Sequence, residues 1–150
     1  MSAGLLDVNV LIALAWPSHV DHARAHAWFG HHASNGWATC PLTQLGFVRV
    51  SSNPAIIPEA VTPQDALRAL ARMVAHEHHV FWPDQLALAD EHVPLALVMG
   101  HRQLTDAYLL GLAISKQGKL ITFDETLEHL LSPQDPRQEA IELIGAGDKA

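Results

Sequence analysis

A chain of 150 residues, 49% hydrophobic and 17% charged, has the size of one ordinary domain and lies far from the polar, highly charged regime of disordered chains. Its longest apolar stretches, 93–99 and 109–114, fall well short of the ~18 residues a bilayer span requires, so no membrane protein is expected. Sixteen acids against nine bases give a formal charge of −7, which excludes a protein-wide positive field and requires any polyanion to meet a local basic patch.

Residues 4–15 read GLLDVNVLIALA, almost wholly apolar except for Asp7 and Asn9. This pattern fits a short buried strand ending near Asp7 and running into a helix. The first basic residue is Arg24, so the apolar start lacks the basic region of a secretory signal. Ser18, with Asp21 three residues on, predicts the start of a second helix lasting to Gly30. His19, His22 and His26 would then share one face. Asn35-Gly36 is a turn, 36–39 a candidate strand, and Pro41 suits the first turn of a helix continuing toward Val50, with Gln44 near its start. Cys40, the only cysteine, excludes an internal disulfide and fits a reducing cytoplasm.

Thr62-Pro63-Gln64-Asp65 is the clearest helix start, and that helix is expected to reach about His76. Residues 79–82 read as a short strand, followed by a helical stretch that Pro94 interrupts. A helix from Thr105 to Gln117 should stop with Gly118 at its C′ position. Residues 119–123 form a good strand that delivers Asp124 at its C-terminal end; a short helix and a last strand at 140–144 follow. Strands alternating with helices favour a single α/β domain over residues 1–150, with a central, mainly parallel sheet covered on both faces.

In such sheets ligands bind outside the carboxyl ends of the strands, where this reading places Asp7 and Asp124. Desolvated carboxylates without partners are costly, so two together imply a cation. Spaced acids without a cysteine cluster favour a hard ion such as Mg2+ or Mn2+.

Three segments each set one acid in an apolar frame: LLDVNVLIAL with Asp7, LTDAYLLGLA with Asp106 and LITFDETL with Asp124. Together with CPLTQLGFVRVSSNP they occur in an order that resembles the PIN domain, specifically the toxin nuclease of VapBC-type toxin–antitoxin pairs. The resemblance implies a three-layer α/β/α sandwich whose acids Asp7, Asp106 and Asp124 converge on Mg2+ or Mn2+, hydrolysis of RNA phosphodiesters, a VapB-like antitoxin that covers the site, and a homodimer. It also places Gln44 where the family usually supplies a further catalytic acid. Gln44 keeps a carbonyl oxygen but removes one negative charge from the site. Asn9 and Thr122 match small polar positions beside the first and last acids, and are expected to hydrogen-bond the carboxylates. His101 and Arg102, just before the Asp106 segment, and Arg49 are the candidate phosphate contacts. Asp84 is a possible outside contributor of charge.

Two other readings follow from the same residues. Gln44 suits a PIN-like module that kept RNA or partner binding while its metal chemistry weakened. The 11 histidines, His19, His22 and His26 above all, could instead build a zinc site, although no HExxH or CxxC spacing accompanies them. Cys40 and the four tryptophans are read as core.

Overall fold

The computed structural model describes residues 3–145; residues 1–2 and 146–150, the two ends of the expected 1–150 unit, lie outside the described residues. Five short strands, β1 (Gly4–Leu6), β2 (Trp37–Thr39), β3 (His79–Phe81), β4 (Lys119–Thr122) and β5 (Ile141–Leu143), make one sheet in the order β3-β2-β1-β4-β5. Every neighbouring pair is parallel. The helices are α1 (Val8–Ala15), α2 (His22–His32), α3 (Pro41–Ser51), α4 (Pro63–Val74) and α5 (Leu104–Ser115), and short 3-10 turns lie at His101–Gln103 and Glu125–Leu130.

β1 is central, with Leu5 opposite both Ala38 of β2 and Leu120 of β4. These three face one core with Leu109, Leu110 and Leu112 of α5. Their chain neighbours Leu6, Trp37 and Ile121 face the other, with Val10 and Leu11 of α1, Phe47 of α3 and Leu70 of α4. Both faces of each central strand are therefore buried, which is why the strands read as continuous apolar runs rather than alternating ones. Two cores separated by one sheet make the three-layer α/β/α sandwich. Cys40 is fully buried, and Trp28, Trp37 and Trp82 belong to the cores.

α4 begins as its sequence dictates: Thr62 Oγ1 accepts from the Asp65 N–H at 3.1 Å, and Pro63 occupies the first position. It ends at Val74, two residues before His76. Elsewhere tertiary contacts override local signals. Ser18 does not cap a helix, because its hydroxyl donates to Glu59 (2.8 Å); α2 starts at His22, leaves His19 outside, and continues past Gly30 to His32. No helix forms between β3 and the 3-10 turn at His101. Pro83 and Pro94 break that segment, and the Asp90 side chain and carbonyl take the N–H groups of His92 and Val93 in a turn.

α5 stops by a mechanism different from the expected one. Gln117, at φ 57°, takes the left-handed position itself. The Gln117 and Gly118 N–H groups return to Ile114 O (3.0 Å) and Ala113 O (2.8 Å), closing a Schellman motif. Gly118 is required by proximity instead, since a Cβ there would lie 2.5 Å from Ala3 O and 2.8 Å from the Trp82 ring.

Candidate functional site

Because all five strands run the same way, their C-terminal ends share one edge of the sheet, the edge where parallel α/β folds place ligands. Asp7 follows β1 directly. Its side chain caps α1, with Oδ1 accepting from the Val8 N–H and Oδ2 from the Thr122 hydroxyl, both at 2.8 Å. Asp124 follows β4 after one residue and caps the next 3-10 turn, its Oδ1 accepting from Thr126 N–H (2.9 Å) and Thr126 Oγ1 (2.7 Å). Asp106 lies in the first turn of α5, whose start approaches the same edge because α5 leads back into β4.

Thr122 ties two of these acids together. Its buried hydroxyl donates to Asp7 while accepting from Asn9 Nδ2 (3.2 Å) and from the Asp124 N–H (3.0 Å). Asn9 Oδ1 in turn accepts from the Phe123 N–H at 3.4 Å. One threonine at the end of β4 thus fixes the carboxylate at the end of β1 and the backbone that presents Asp124.

Among the described residues, the electrostatics are those of negative charges near one another without a paired counter-charge. Burial pushes the Asp7 carboxyl above the usual carboxylate range, against the hydrogen bonds from Thr122 and Val8, and the nearby Asp124 adds to the rise. Asp106 is pushed up to about 6, first by burial and then by the charges of Asp7 and Asp124. Among the described residues no Lys, Arg or His forms an ion pair with any of the three. No three His, Cys, Asp or Glu side chains among the described residues lie close enough together to hold a metal ion as they stand. An open set of carboxylate oxygens, with no thiolate and an uncompensated buried charge, fits a hard divalent cation that keeps several of its waters.

Gln44 sits on the β2 side of the same edge. Its Nε2 donates to Thr39 Oγ1 at 3.0 Å, and Thr39 also bonds His79 Nε2 at 2.8 Å. Gln44 shares a shallow apolar depression with Leu45 and Val48 of α3 and Leu67 and Leu70 of α4. His101 and Arg102 are exposed in the turn preceding α5; Arg49 is exposed in the last turn of α3. Asp84 acts on Tyr108 and is not among the charges acting on Asp7 or Asp106. Sequence reasoning did not single out Thr39 or Thr126. For Thr39 a signal existed: like Thr122, it is the last residue of a buried strand.

The histidines do not assemble as a triad on α2. The His19 ring accepts the Asp21 N–H at 3.0 Å, whereas the His22 and His26 rings turn toward carbonyls at the end of α1.

Comparison with known proteins agrees with the fold. The PIN domain family matches residues 4–130. Ribonuclease VapC38 of Mycobacterium tuberculosis is 52% identical over 120 residues, covering 80% of this chain and 84% of the relative. Ribonuclease VapC39 of the same organism is 48% identical over 124 residues (82% and 89%), and ribonuclease VapC44 is 41% identical over 135 (89% and 94%). A family match over most of the chain, with relatives this similar along nearly their whole length, establishes that the chain belongs to the PIN-domain family, on its VapC branch.

Proposed function

We propose that this protein is a Mg2+- or Mn2+-dependent endoribonuclease acting as the toxin of a toxin–antitoxin pair, with a VapB-like protein as its partner. The observation that carries this reading is the group of three mutually repelling carboxylates, Asp7, Asp106 and Asp124, at the ligand edge of a parallel sheet, to which no cationic side chain among the described residues is paired. The relatives' own names supply RNA cleavage as the chemistry such a site would perform.

Asp7, Asp106 and Asp124 would hold the ion, which when bound supplies charge neutralisation at the phosphoryl oxygens and a more acidic water. Thr122 and Asn9 orient the acids: Thr122 leaves Asp7 Oδ2 little rotational freedom, and Asn9 fixes the Thr122 hydroxyl so that its hydrogen points to Asp7. Asp106, with its carboxyl pushed up to about 6 in the metal-free protein, would give up its proton as the ion binds. His101 and Arg102, and after them Arg49, would meet the RNA backbone, so that an acidic protein concentrates its phosphate contacts locally.

The test is cleavage of RNA by the purified protein. Cleavage should stop with EDTA and return with Mn2+, and sequencing the 5′ ends of RNAs cut after induced expression would reveal the target. A second reading is favoured by one observation. Gln44, where the family usually supplies an acid, is neutral and donates to Thr39, which suits a binding module with weakened metal chemistry; RNA retention without Mn2+-dependent cleavage would select it.

A further inference from the structure

The last turn of any α-helix leaves carbonyls that need donors from elsewhere. In α1 the Trp16 N–H serves Ile12 O at 3.0 Å. The next two carbonyls are met from α2: His22 Nδ1 lies 2.7 Å from Ala13 O, and His26 Nε2 lies 2.9 Å from Leu14 O. A carbonyl oxygen only accepts, so both of these ring nitrogens carry hydrogen. In the neutral rings the lone pairs are therefore on His22 Nε2 and His26 Nδ1. The two residues are one helical turn apart on one face of α2, with ring centroids 4.3 Å apart. Among the described residues neither ring is paired with a carboxylate.

We propose that His22 and His26 form a two-nitrogen site for a borderline divalent transition cation, of the class of Zn2+, Ni2+ or Cu2+, at the C-terminal end of α1. Imidazole nitrogen suits such ions, whereas carboxylate oxygen suits Mg2+ and Mn2+. Histidines one turn apart on a helix are the spacing with which helices chelate zinc. Each ring donates its other N–H to a backbone carbonyl, the arrangement that fixes the tautomer of a metal-ligating histidine and raises its basicity. The carbonyl end of α1 adds the partial negative charge of its dipole. His19 is not part of the set, since its Nδ1 accepts the Asp21 N–H. Among the described residues no third His, Cys, Asp or Glu completes a cage, so water fills the remaining positions. α1 thus carries a hard-ion ligand, Asp7, at its N-cap and a borderline-ion site at its other end.

The test uses His22→Asn and His26→Gln. Asn places an N–H donor where His22 Nδ1 stood, and Gln places one where His26 Nε2 stood, so the caps on α1 are kept while the lone-pair nitrogens are lost. Electron paramagnetic resonance with one equivalent of Cu2+ should show coupling to two imidazole nitrogens in the wild-type protein, and Ni2+ should raise its melting temperature. Each variant should lose the two-nitrogen pattern and the Ni2+ shift while its metal-free melting temperature stays near wild type; Asp7→Asn should keep both signals. Two-nitrogen coupling that persists in both variants would assign the ion to other histidines and overturn the proposal. So would an oxygen-only Cu2+ spectrum in the wild-type protein, which would place the ion on the carboxylates. The melting curve of each variant identifies a folding failure separately, and the more exposed His26 provides the second, milder substitution.

Discussion

Two halves of one sheet edge use the same device for opposite electrostatic ends. At the ends of β1 and β4, a buried threonine hydroxyl, Thr122, is the hub for Asp7, Asn9 and the Asp124 backbone. At the end of β2, another buried threonine, Thr39, is the hub for Gln44 and for His79, whose ring reaches it from the start of β3. The first half gathers negative charge, and burial and mutual repulsion push Asp7 and Asp106 upward. The second half holds a neutral amide and an imidazole whose pKa burial lowers, aided by His76, so it presents hydrogen bonds without net charge. A strand-end threonine is therefore a positioning element indifferent to charge, and the residue it holds decides whether that part of the edge attracts a cation.

The largest effect should come from the charged half. Asp7→Asn keeps the shape of the side chain but removes a ligand charge, so RNA cleavage by the purified protein should fall beyond the roughly 10–100-fold loss typical of an outer-shell partner, with circular dichroism unchanged. Thr122→Val should fall within that 10–100-fold range for cleavage or Mn2+ affinity. It should also lower stability by about 1–3 kcal/mol, because Asn9 Nδ2 and the Asp124 N–H lose their acceptor; denaturant melts measure this. A Thr122→Val protein as active as wild type would show that the hub does not position the acids.

The neutral half offers a change in the other direction. Gln44→Glu removes the donor to Thr39 and adds a charge, so Mn2+ binding measured by calorimetry should tighten while the metal-free protein loses stability through repulsion with the three existing acids. If neither quantity moves, Gln44 belongs to the apolar α3–α4 depression and not to the ion's surroundings. The smallest expected effect is at the rim: Arg102→Ala should reduce the slope of log affinity against log salt by about 0.7 for single-stranded RNA, the contribution of one phosphate contact, and leave Mn2+ affinity unchanged.

How much of this was legible in the sequence depended on whether the determining contacts were local. Asp7 and Asp124 could be placed because each closes a short apolar run that only a doubly covered strand explains, and Thr62-Pro63 because a helix cap is set within four residues. Asp106 became legible only beside its companions; by itself it reads as an ordinary first-turn acid. The segment 83–100 did not, because its apolar residues follow tertiary contacts rather than a period, as where buried Val93 packs against Gly111. Nor could the sequence show that His22 and His26 reach back to α1, or that Gln117 rather than Gly118 takes the left-handed position. In each case a partner distant in sequence decided the outcome, as it did for Thr39, whose hydroxyl bonds a ring 40 residues away.

The most direct test of the charged half is a pair of melting curves, wild type and Asp106→Asn, taken without metal and with Mn2+ between about pH 5 and 7.5. A carboxyl raised from 3.8 to about 6 in the fold binds its proton more tightly folded than unfolded, so it lowers metal-free stability increasingly as pH rises from about 4 to 6 and by a constant amount above that. Metal-free Asp106→Asn should therefore melt higher than wild type at pH 7.5, with the gap closing toward pH 5. Mn2+ should raise the wild-type melting temperature at pH 7.5 and do little for the variant. Identical curves for the two proteins at every pH, with and without Mn2+, would contradict a cation site built from Asp7, Asp106 and Asp124.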